Sequence, residues 1–581
     1  MRRGLPCVLV LAVLAVACTP APPVEHALQE INAPALDAHL RFLSDDLLEG
    51  RGPGSRGIEI AARYIAAQFE RAGLRPAASD TSYFQRVPFV AMTPEARLSM
   101  RAAGRRFDLR YGDDFVAFAG VQEPAASATG ELVFVGYGVT APEQDWDDYE
   151  DVDVTGKVLL MLVNDPGKTQ AGRFRGDTLT YYGRWTYKYE EAARRGAAGA
   201  ILIHTRELAG YPWGVVRSSW SGEQFELEAT PGEPRVPVKA WITWDAAARV
   251  LAAAGRDLQA LYDAAQSSDF RPVPTGVQVD ATVRSRIRRI ESSNVAGLLP
   301  GSSRPDEVVV YTSHYDHLGI GDPVNGDSIY NGARDNASGT ALLLTLADAF
   351  ARLPEPPARS ILLLAVTAEE QGLLGSRYYA ENPLLPLTKT AANVNVDALN
   401  LWGATTDIVA LGVDRSTLGP IVQEAAAAEG LMLEGDASPE QGYFFRSDQF
   451  SFVRFGVPAA YIDQGYDYVG RLAGWGEARE DEYRERDYHQ PSDEYRADFD
   501  LAGTVQMGRV AFRVGHAVAQ MPGFPEWLPG AEFKAIRDSM MARAGAAGAA
   551  GAAGAATRAG AWGRQGTGIH SIPRQGGPCC T

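Results

Sequence analysis

Histidine and carboxylate side chains stand just past several short apolar runs in the second half of the chain. These are His314 and Asp316 after residues 308–311, Glu369 and Glu370 after residues 361–366, Asp397 after residues 392–396, and the loop residues Asp335 and His489. Imidazole and carboxylate groups are ligands of divalent cations in proteins. Between Cys18 and Cys579 the sequence contains no cysteine, so any metal in this part must be held by histidine and carboxylate.

The apolar runs themselves indicate how these side chains are positioned. They read as short buried strands, and helical patterns over residues 338–350 and 373–380 separate them. This alternation predicts an α/β fold with a mostly parallel central sheet covered by helices on both faces. Ligands of such sheets bind outside the carboxyl ends of the strands. We therefore expect five candidates to meet at one edge, as a pair of divalent cations requires: His314, Asp335, Glu370, Asp397 and His489.

Five segments carry a family resemblance. SHYDHLG, YNGARDNASGTA, AVTAEEQGLLGS, NVDALN and DYHQPSDEY, which begin at Ser313, Tyr330, Ala365, Asn395 and Asp487, resemble the motifs of metallopeptidase family 28. That family includes bacterial leucyl aminopeptidases, aminopeptidase Y and glutamate carboxypeptidase. The resemblance covers about residues 36–75 and 290–520. It implies a zinc aminopeptidase-like fold and two zinc ions per chain.

The resemblance also implies a role for each matching residue. Asp335 would bridge the two zinc ions; Glu370 and His489 would complete one site, and His314 and Asp397 the other. Glu369 would be the general base, and Asp316 would accept the second ring N–H of His314. Tyr488 resembles a tyrosine that polarises the scissile carbonyl in some members, although other members take it from elsewhere. The segment Arg446, Ser447 and Asp448 resembles one that lies beside the specificity pocket.

The chemistry of these groups predicts peptide hydrolysis. Two cations about 3.5–4 Å apart lower the pKa of a shared water, and a carboxylate such as Glu369 can take its proton and pass it to the leaving amine. Neighbouring side chains of extended backbone point to opposite sides, so Glu370 can hold metal while Glu369 faces the substrate. We expect an exopeptidase that removes N-terminal residues from peptides.

Other functions fit parts of the same pattern. A carboxypeptidase or dipeptidase needs arginine to hold a free carboxylate, and Arg446 and Arg334 are candidates. Glutaminyl cyclases share the fold but use one zinc ion, and receptor-like relatives have lost ligands. For individual residues, Asp335 and Ser447 could instead cap helices, and His489 could lie in a charged surface loop.

The length and composition of the chain predict several folded units. A chain of 581 residues exceeds one ordinary core, and the net charge of -17 argues against a nucleic-acid partner. We predict the peptidase domain over residues 31–120 and 281–525, an insert over residues 121–280, and a low-complexity, disordered tail over residues 526–581. The insert resembles a protease-associated domain through GYGV, GKVLLMLVND and EEAARRGAAGAILIH, which begin at Gly136, Gly156 and Glu190.

The N-terminal sequence predicts that the protein is exported from the cytoplasm. Arg2 and Arg3 precede an apolar run over residues 5–16, which is typical of a signal peptide of residues 1–18, followed by a linker over residues 19–30. Cleavage before Cys18 would give a lipoprotein, whereas Ala15-x-Ala17 also fits ordinary cleavage. We therefore expect a periplasmic, membrane-anchored or secreted protein whose only membrane contact is a lipid anchor at Cys18.

Overall fold

A computed structural model describes residues 23–150, 152–170 and 172–546. The predicted signal peptide, the first part of the linker and the Gly-Ala repeats lie outside the described residues. Among the residues described, none of the helices combines the length and the apolar character that a membrane span requires.

Helices and strands alternate along most of the chain. The helices are α1 Pro23–Ala27, α2 Ala33–Leu43, α3 Arg56–Arg71, α4 Trp185–Arg194, α5 Arg206–Ala209, α6 Trp213–Ser219, α7 Trp244–Ala253, α8 Leu258–Ala264, α9 Gly339–Ala351, α10 Leu374–Glu381, α11 Leu418–Ala428, α12 Gln449–Val453, α13 Trp475–Arg486 and α14 Ala502–Gln520. The strands are β1 Arg75–Pro76, β2 Phe84–Ala102, β3 Arg105–Asp108, β4 Phe115–Ala119, β5 Ala125–Phe134, β6 Thr140–Ala141, β7 Trp146–Asp147, β8 Val158–Leu162, β9 Gly199–His204, β10 Gln224–Leu227, β11 Val238–Thr243, β12 Val273–Leu299, β13 Arg304–His314, β14 Gly319–Val324, β15 Asp327–Tyr330, β16 Arg359–Val366, β17 Thr390–Val396, β18 Asp407–Leu411, β19 Met432–Glu434 and β20 Ala459–Gln464.

One half of the large sheet forms the centre of the peptidase domain. Its strand order is β19-β18-β20-β17-β13-β16-β12. The neighbours of β13, which are β16 and β17, both run parallel to it, and β20 runs parallel to β17. Strands β12 and β18 pair antiparallel with their neighbours β16 and β20. The mostly parallel sheet that the sequence predicts is confirmed.

Side-chain alternation along β13 shows why both faces need helices. Val309 and Tyr311 belong to the core that contains residues of α2, α3, α9 and α14. Val308 and Val310 point the other way, into a smaller core with Tyr379 of α10 and other apolar residues. Because successive strand residues face opposite sides, a continuous apolar run requires cover on both sides.

The insert forms a second core, but its boundary differs from the predicted one. Strand β4 pairs antiparallel with β11, and Phe115 to Ala119 pack in this second core with residues of β8 and β9. Leu98 and Met100, in the second half of β2, belong to it too. A boundary at residue 121 is therefore wrong: β2 and β12 run through both cores. A strand whose partner is far along the chain leaves no local signal of where a domain begins. The identity of the insert as a protease-associated domain stays a prediction.

Two predicted unstructured segments are in part ordered. Residues 23–30 of the predicted linker form α1 and a further turn, and Ala27 and Leu28 are buried against the peptidase core. In the predicted tail, Trp527 and Phe533 are 4% exposed, and a helix covers residues 534–546. The prediction of a disordered tail is wrong for residues 526–546, because the burial of these apolar side chains stabilises an ordered segment.

Candidate metal centre

One cluster of candidate ligands surrounds the ring of His314, at the end of β13. Its Nε2 atom lies 3.2 Å from Asp397 Oδ1 and 3.3 Å from Asp335 Oδ1. Asp397 directly follows β17, the parallel neighbour of β13. The carboxyl ends of adjacent parallel strands thus bring His314 and Asp397 to the same edge of the sheet.

A second cluster surrounds His489, in the loop after α13. Its Nε2 atom lies 3.1 Å from Glu370 Oε2 and 3.3 Å from Asp335 Oδ2. Asp335 therefore turns one carboxylate oxygen to each cluster, as a bridging ligand must. The residue His489 has a φ angle of 57°, a conformation uncommon outside glycine that is found at functional sites.

The spacing of these atoms fits zinc. Two ligand atoms that share a tetrahedral zinc ion at about 2.0–2.1 Å lie about 3.3–3.4 Å apart. The four separations between histidine nitrogens and carboxylate oxygens in the two clusters, which are 3.1, 3.2, 3.3 and 3.3 Å, are close to this value. The donor set of two imidazoles and three carboxylates is also one that zinc accepts when thiolate is absent.

Asp316 positions the two glutamates through their backbone. Its carboxylate oxygens accept hydrogen bonds from the amides of Glu369 and Glu370, at 3.1 and 3.3 Å. The same carboxylate lies 3.7 Å from Nδ1 of His314, whose closer neighbour is the Asp316 carbonyl oxygen at 3.3 Å. Asp316 therefore supports His314 with its backbone as much as with its side chain.

The backbone at Glu369 and Glu370 differs from the predicted extended form. The amides of Gly372 and Leu373 both donate to the carbonyl oxygen of Glu369 at 2.8 Å, so the segment is a tight turn. Asp316 stabilises this turn by binding the two amides. The side chains still diverge: Glu370 reaches His489, whereas Glu369 groups with His314 and Asp397.

Asp335 is a candidate ligand and does not cap a helix. Its neighbour Asn336 accepts the hydrogen bond from the Gly339 amide, at the start of α9. The backbone amide of Asp335 donates to Oδ2 of Asp493 at 3.1 Å, and that of Arg334 donates to the other oxygen at 3.0 Å. These contacts fix the loop from which the Asp335 carboxylate reaches both clusters.

Ser447 likewise contacts a candidate ligand, Asp397, and does not cap a helix. Its hydroxyl donates to Oδ2 of Asp397 at 2.7 Å and accepts from Asn395 at 2.9 Å. The following residue, Asp448, is fully buried, and neither of its carboxylate oxygens has a hydrogen-bond partner among the described residues. Burial, first of all, raises the pKa of Asp448 to about 7.

A cavity of about 270 Å³ opens beside the two clusters. Asp335, Glu369, Glu370, Asp397 and Tyr488 are among the residues that line it. The Tyr488 side chain is 45% exposed, and its ring stacks on the His489 ring with the centroids 3.8 Å apart. Tyr461 lines the same cavity, and its hydroxyl donates to the carbonyl oxygen of Asp397 at 3.4 Å.

Burial and neighbouring charges shift the pKa values of three carboxyls in the centre. Burial opposes ionisation of Glu370, but His489 and His317 together lower the pKa of this carboxyl to about 2. Burial likewise works against ionised Asp335, yet His314 and His489 hold its pKa well below the ordinary range. For Glu369, burial raises the pKa well above the ordinary range. Glu369 therefore holds a proton more readily than Asp335 and Glu370 do.

Two further residues of the centre were not assigned a role from the sequence. Asp493, which accepts the amide hydrogen bond of Asp335, lies four residues after His489 in the segment DYHQPSDEY. Its place in that segment is the sequence signal that could have identified it. Nδ1 of His317 lies 2.6 Å from Oε1 of Glu370, and the His317 ring is 5.7 Å from that of His489. Only the folded chain brings His317 next to Glu370.

The part of the chain that carries these residues matches a known family. Residues 294–514 match the sequence profile of peptidase family M28. They contain all five candidate ligands and Glu369. We therefore assign this part of the chain to peptidase family M28.

Individual relatives share parts of the chain. A protein of Pyrenophora teres f. teres described as a probable zinc metalloprotease is 31% identical over 283 residues, which cover 43% of this chain and 57% of the fungal protein. Aminopeptidase NAALADL1 of Mus musculus is 36% identical over 137 residues, 23% of this chain and 17% of the mouse protein. The chain thus spans little more than half the length of the fungal relative. An aminopeptidase structure from Aneurinibacillus sp. strain AM-1 is 21% identical with a TM-score of 0.46, covering 87% of this chain and 98% of that chain.

Proposed function

We propose that this protein is a zinc-dependent exopeptidase that removes N-terminal residues from peptides. The single observation that carries the proposal is the position of Asp335, whose two carboxylate oxygens face His314 and His489 separately. Membership of the 294–514 segment in family M28 and the zinc metalloprotease and aminopeptidase names of its relatives support it.

The ligand residues would hold two zinc ions. His314 and Asp397 would bind one, Glu370 and His489 the other, and Asp335 both. When bound, such a pair supplies Lewis-acid activation of water and charge stabilisation at the scissile carbonyl.

Glu369 would move the proton. Its carboxylate lies in the cavity beside His314 and Asp397 without being one of the ligands assigned above. It would accept a proton from the attacking water and then donate it to the leaving amine, which requires a carboxyl that can hold a proton in the reaction. Tyr488, which lines the cavity, would donate a hydrogen bond to the substrate carbonyl oxygen.

The test is hydrolysis of matched substrates. We expect the purified protein to cleave an amino-acid p-nitroanilide and to leave its N-acetylated form intact. Chelation should abolish cleavage, and zinc should restore it. Cleavage of the blocked substrate alone would contradict removal of N-terminal residues, and full activity after complete zinc removal would contradict the metal mechanism.

Zinc content tests the two-site assignment independently of activity. We expect about two zinc ions per chain after dialysis, by mass spectrometry of the metal. A ratio of one would instead favour the one-zinc chemistry of glutaminyl cyclases.

We also propose export, on the basis of the basic and apolar N-terminal pattern. Fractionation of cells that express the full chain tests it. If Cys18 carries a lipid, Cys18→Ser should move the protein from the membrane to the soluble exported fraction. Retention of an uncleaved chain in the cytoplasm would contradict export.

A further inference from the structure

Arg334 is a buried arginine beside the metal centre. Its side chain is 4% exposed, and it directly precedes Asp335, the candidate bridging ligand. Arg334 and Arg446, the two candidates for binding a substrate carboxylate, both line the cavity. The Nη2 atom of Arg334, however, lies 2.9 Å from Oε2 of Glu480. Because this charge is already paired within the chain, its contacts favour a role other than binding a substrate anion.

The guanidinium of Arg334 contacts the segment that carries Asp397. Its Nε atom donates to the carbonyl oxygen of Leu399 at 3.2 Å, and its Cζ atom lies 4.5 Å from the centroid of the Trp402 ring. Ser338 adds a second connection, because its hydroxyl donates to the Arg334 carbonyl oxygen at 2.6 Å and accepts from the Leu399 amide at 3.0 Å. The loop of Arg334 is therefore joined to the segment after β17 by side chain and backbone alike.

The same guanidinium contacts helix α13, which leads into the loop of His489. Glu480 binds it from this helix, and the ring of Tyr483, three residues further along, has its centroid 4.2 Å from the Arg334 Cζ atom. The Tyr483 ring lies 6.2 Å from that of Tyr488, which stacks on His489. A continuous set of contacts thus runs from Arg334 to a candidate ligand of the second cluster.

Asp493 provides a further contact between these segments. Its carboxylate accepts the amides of Arg334 and Asp335, and its Oδ2 atom also accepts the hydroxyl of Tyr483 at 3.1 Å. Backbone and side chain of Arg334 therefore bind residues 475–493 through independent contacts. Charge-assisted hydrogen bonds and cation–π contacts of a desolvated guanidinium are among the stronger interactions in a protein interior.

We propose that Arg334 is a positioning residue that holds the segments carrying Asp335, Asp397 and His489 at the spacing that two zinc ions require. The inference rests on the proposed function, since it concerns the same two ions. Asp397 and His489 belong to different clusters, so loss of the guanidinium should weaken both zinc positions. Residues that orient metal ligands from outside the coordination sphere change metal affinity by about tenfold to hundredfold.

The variant Arg334→Lys tests the proposal in the full chain. Lysine keeps a positive charge for Glu480, but one ammonium group cannot reproduce the planar fork that joins Glu480 to Leu399. We expect zinc binding about tenfold to hundredfold weaker at both positions, measured by competition with a chromogenic chelator. The melting temperature of the metal-free protein should stay close to that of wild type, because the buried charge remains paired.

The matched control is Arg486→Lys, the same substitution at the end of α13. The Arg486 side chain is 70% exposed and pairs with Glu482 of its own helix at 2.8 Å. Its zinc affinity should equal that of wild type. The visible absorption of the cobalt(II)-loaded protein, which reports the geometry of the ligands, should change in Arg334→Lys and stay unchanged in Arg486→Lys.

A double variant separates positioning from stability if Arg334→Lys also melts at a lower temperature. Arg334→Met with Glu480→Gln removes both charges of the pair and keeps an apolar side chain against the rings of Trp402 and Tyr483. Its zinc affinity should be reduced as in Arg334→Lys, because the hydrogen bond to Leu399 is lost. Its melting temperature should be the higher of the two.

Zinc affinity equal to that of wild type, in folded Arg334→Lys or in the folded double variant, would overturn the proposal and leave Arg334 with a structural role only. Equal weakening in Arg486→Lys would overturn it as well. A wild-type protein that binds no zinc would instead contradict the proposed function, so the two failures are distinguishable.

Discussion

At the scale of single residues, substitution of Asp335 should change metal binding the most, because each of its carboxylate oxygens belongs to a different ligand cluster. We expect Asp335→Asn to lower zinc at both positions. His489→Gln removes a ligand from one cluster and should lower zinc at one position. Metal analysis after dialysis measures both ratios. His26→Gln, at an exposed histidine, is the control. Equal zinc content in Asp335→Asn and wild type would contradict the bridging role.

Glu369 tests the chemical step separately from metal binding. Loss of general base catalysis costs about 10²- to 10⁴-fold in rate, so Glu369→Gln should lower kcat by that factor. Zinc content should stay unchanged, because Glu370 and not Glu369 contacts His489. The exposed Glu424→Gln variant provides a control for the charge change. Normal turnover in Glu369→Gln would show that another group accepts the proton.

At the scale of elements, α2 contains a buried histidine that makes stability depend on pH. His39 is 7% exposed, and Nδ1 lies 2.9 Å from the hydroxyl of Tyr64. Burial, the largest cause, lowers the pKa of His39 from 6.5 to about 4. The folded state therefore keeps this ring neutral, and the unfolded chain binds its proton first as pH falls.

Because the unfolded chain binds the His39 proton at higher pH than the folded protein does, acid lowers the free energy of unfolding. The contribution of neutral His39 is fully present above pH 6.5 and is lost as pH falls to about 4. Its size is at most about 3 kcal/mol. In chelated protein, we expect the melting temperature of His39→Gln to fall less than that of wild type between pH 7 and pH 4. His26→Gln should behave as wild type; the same slope in all three proteins would refute the assignment.

The segment after α14 contributes to stability through two buried aromatic side chains. The indole of Trp527 donates to the carbonyl oxygen of Gly456 at 2.7 Å, and Arg537 donates to those of Leu387 and Thr390, both at 2.9 Å. Burial of an aromatic side chain stabilises by about 1.5–3 kcal/mol. A chain that ends at residue 525 should therefore melt several degrees below one that ends at residue 546. Equal melting temperatures would mean that the segment is not bound in solution.

At the scale of the whole molecule, β2 and β12 connect the two cores. Their pairing runs without interruption from Phe84 and Val295 to Arg101 and Gln278. Because the two strands cannot separate in one core alone without strain at the other, we expect one calorimetric unfolding transition. Zinc removal should shift that transition as a whole, since ligand binding to the folded state stabilises it. Two resolved transitions, with only one sensitive to chelation, would show that the insert unfolds independently.

The sequence by itself determined the α/β class of the peptidase domain and the set of candidate ligands. Both depend on local information. Apolar runs indicate buried strands, and the residues that follow parallel strands must meet at one sheet edge. His314 after β13 and Asp397 after β17 are examples, and no tertiary contact was needed to expect them together.

Only the tertiary structure decided features that depend on contacts between distant residues. The pairing of β4 with β11 shows that the second core begins before residue 121. The hydrogen bonds to the Glu369 carbonyl oxygen form a tight turn where the sequence predicts extended backbone. Asp493 is a further example, because it binds the amides of Arg334 and Asp335, which lie about 160 residues earlier in the chain. Such contacts have no local pattern, because their free energy comes from burial and hydrogen bonds that exist only once the chain has folded.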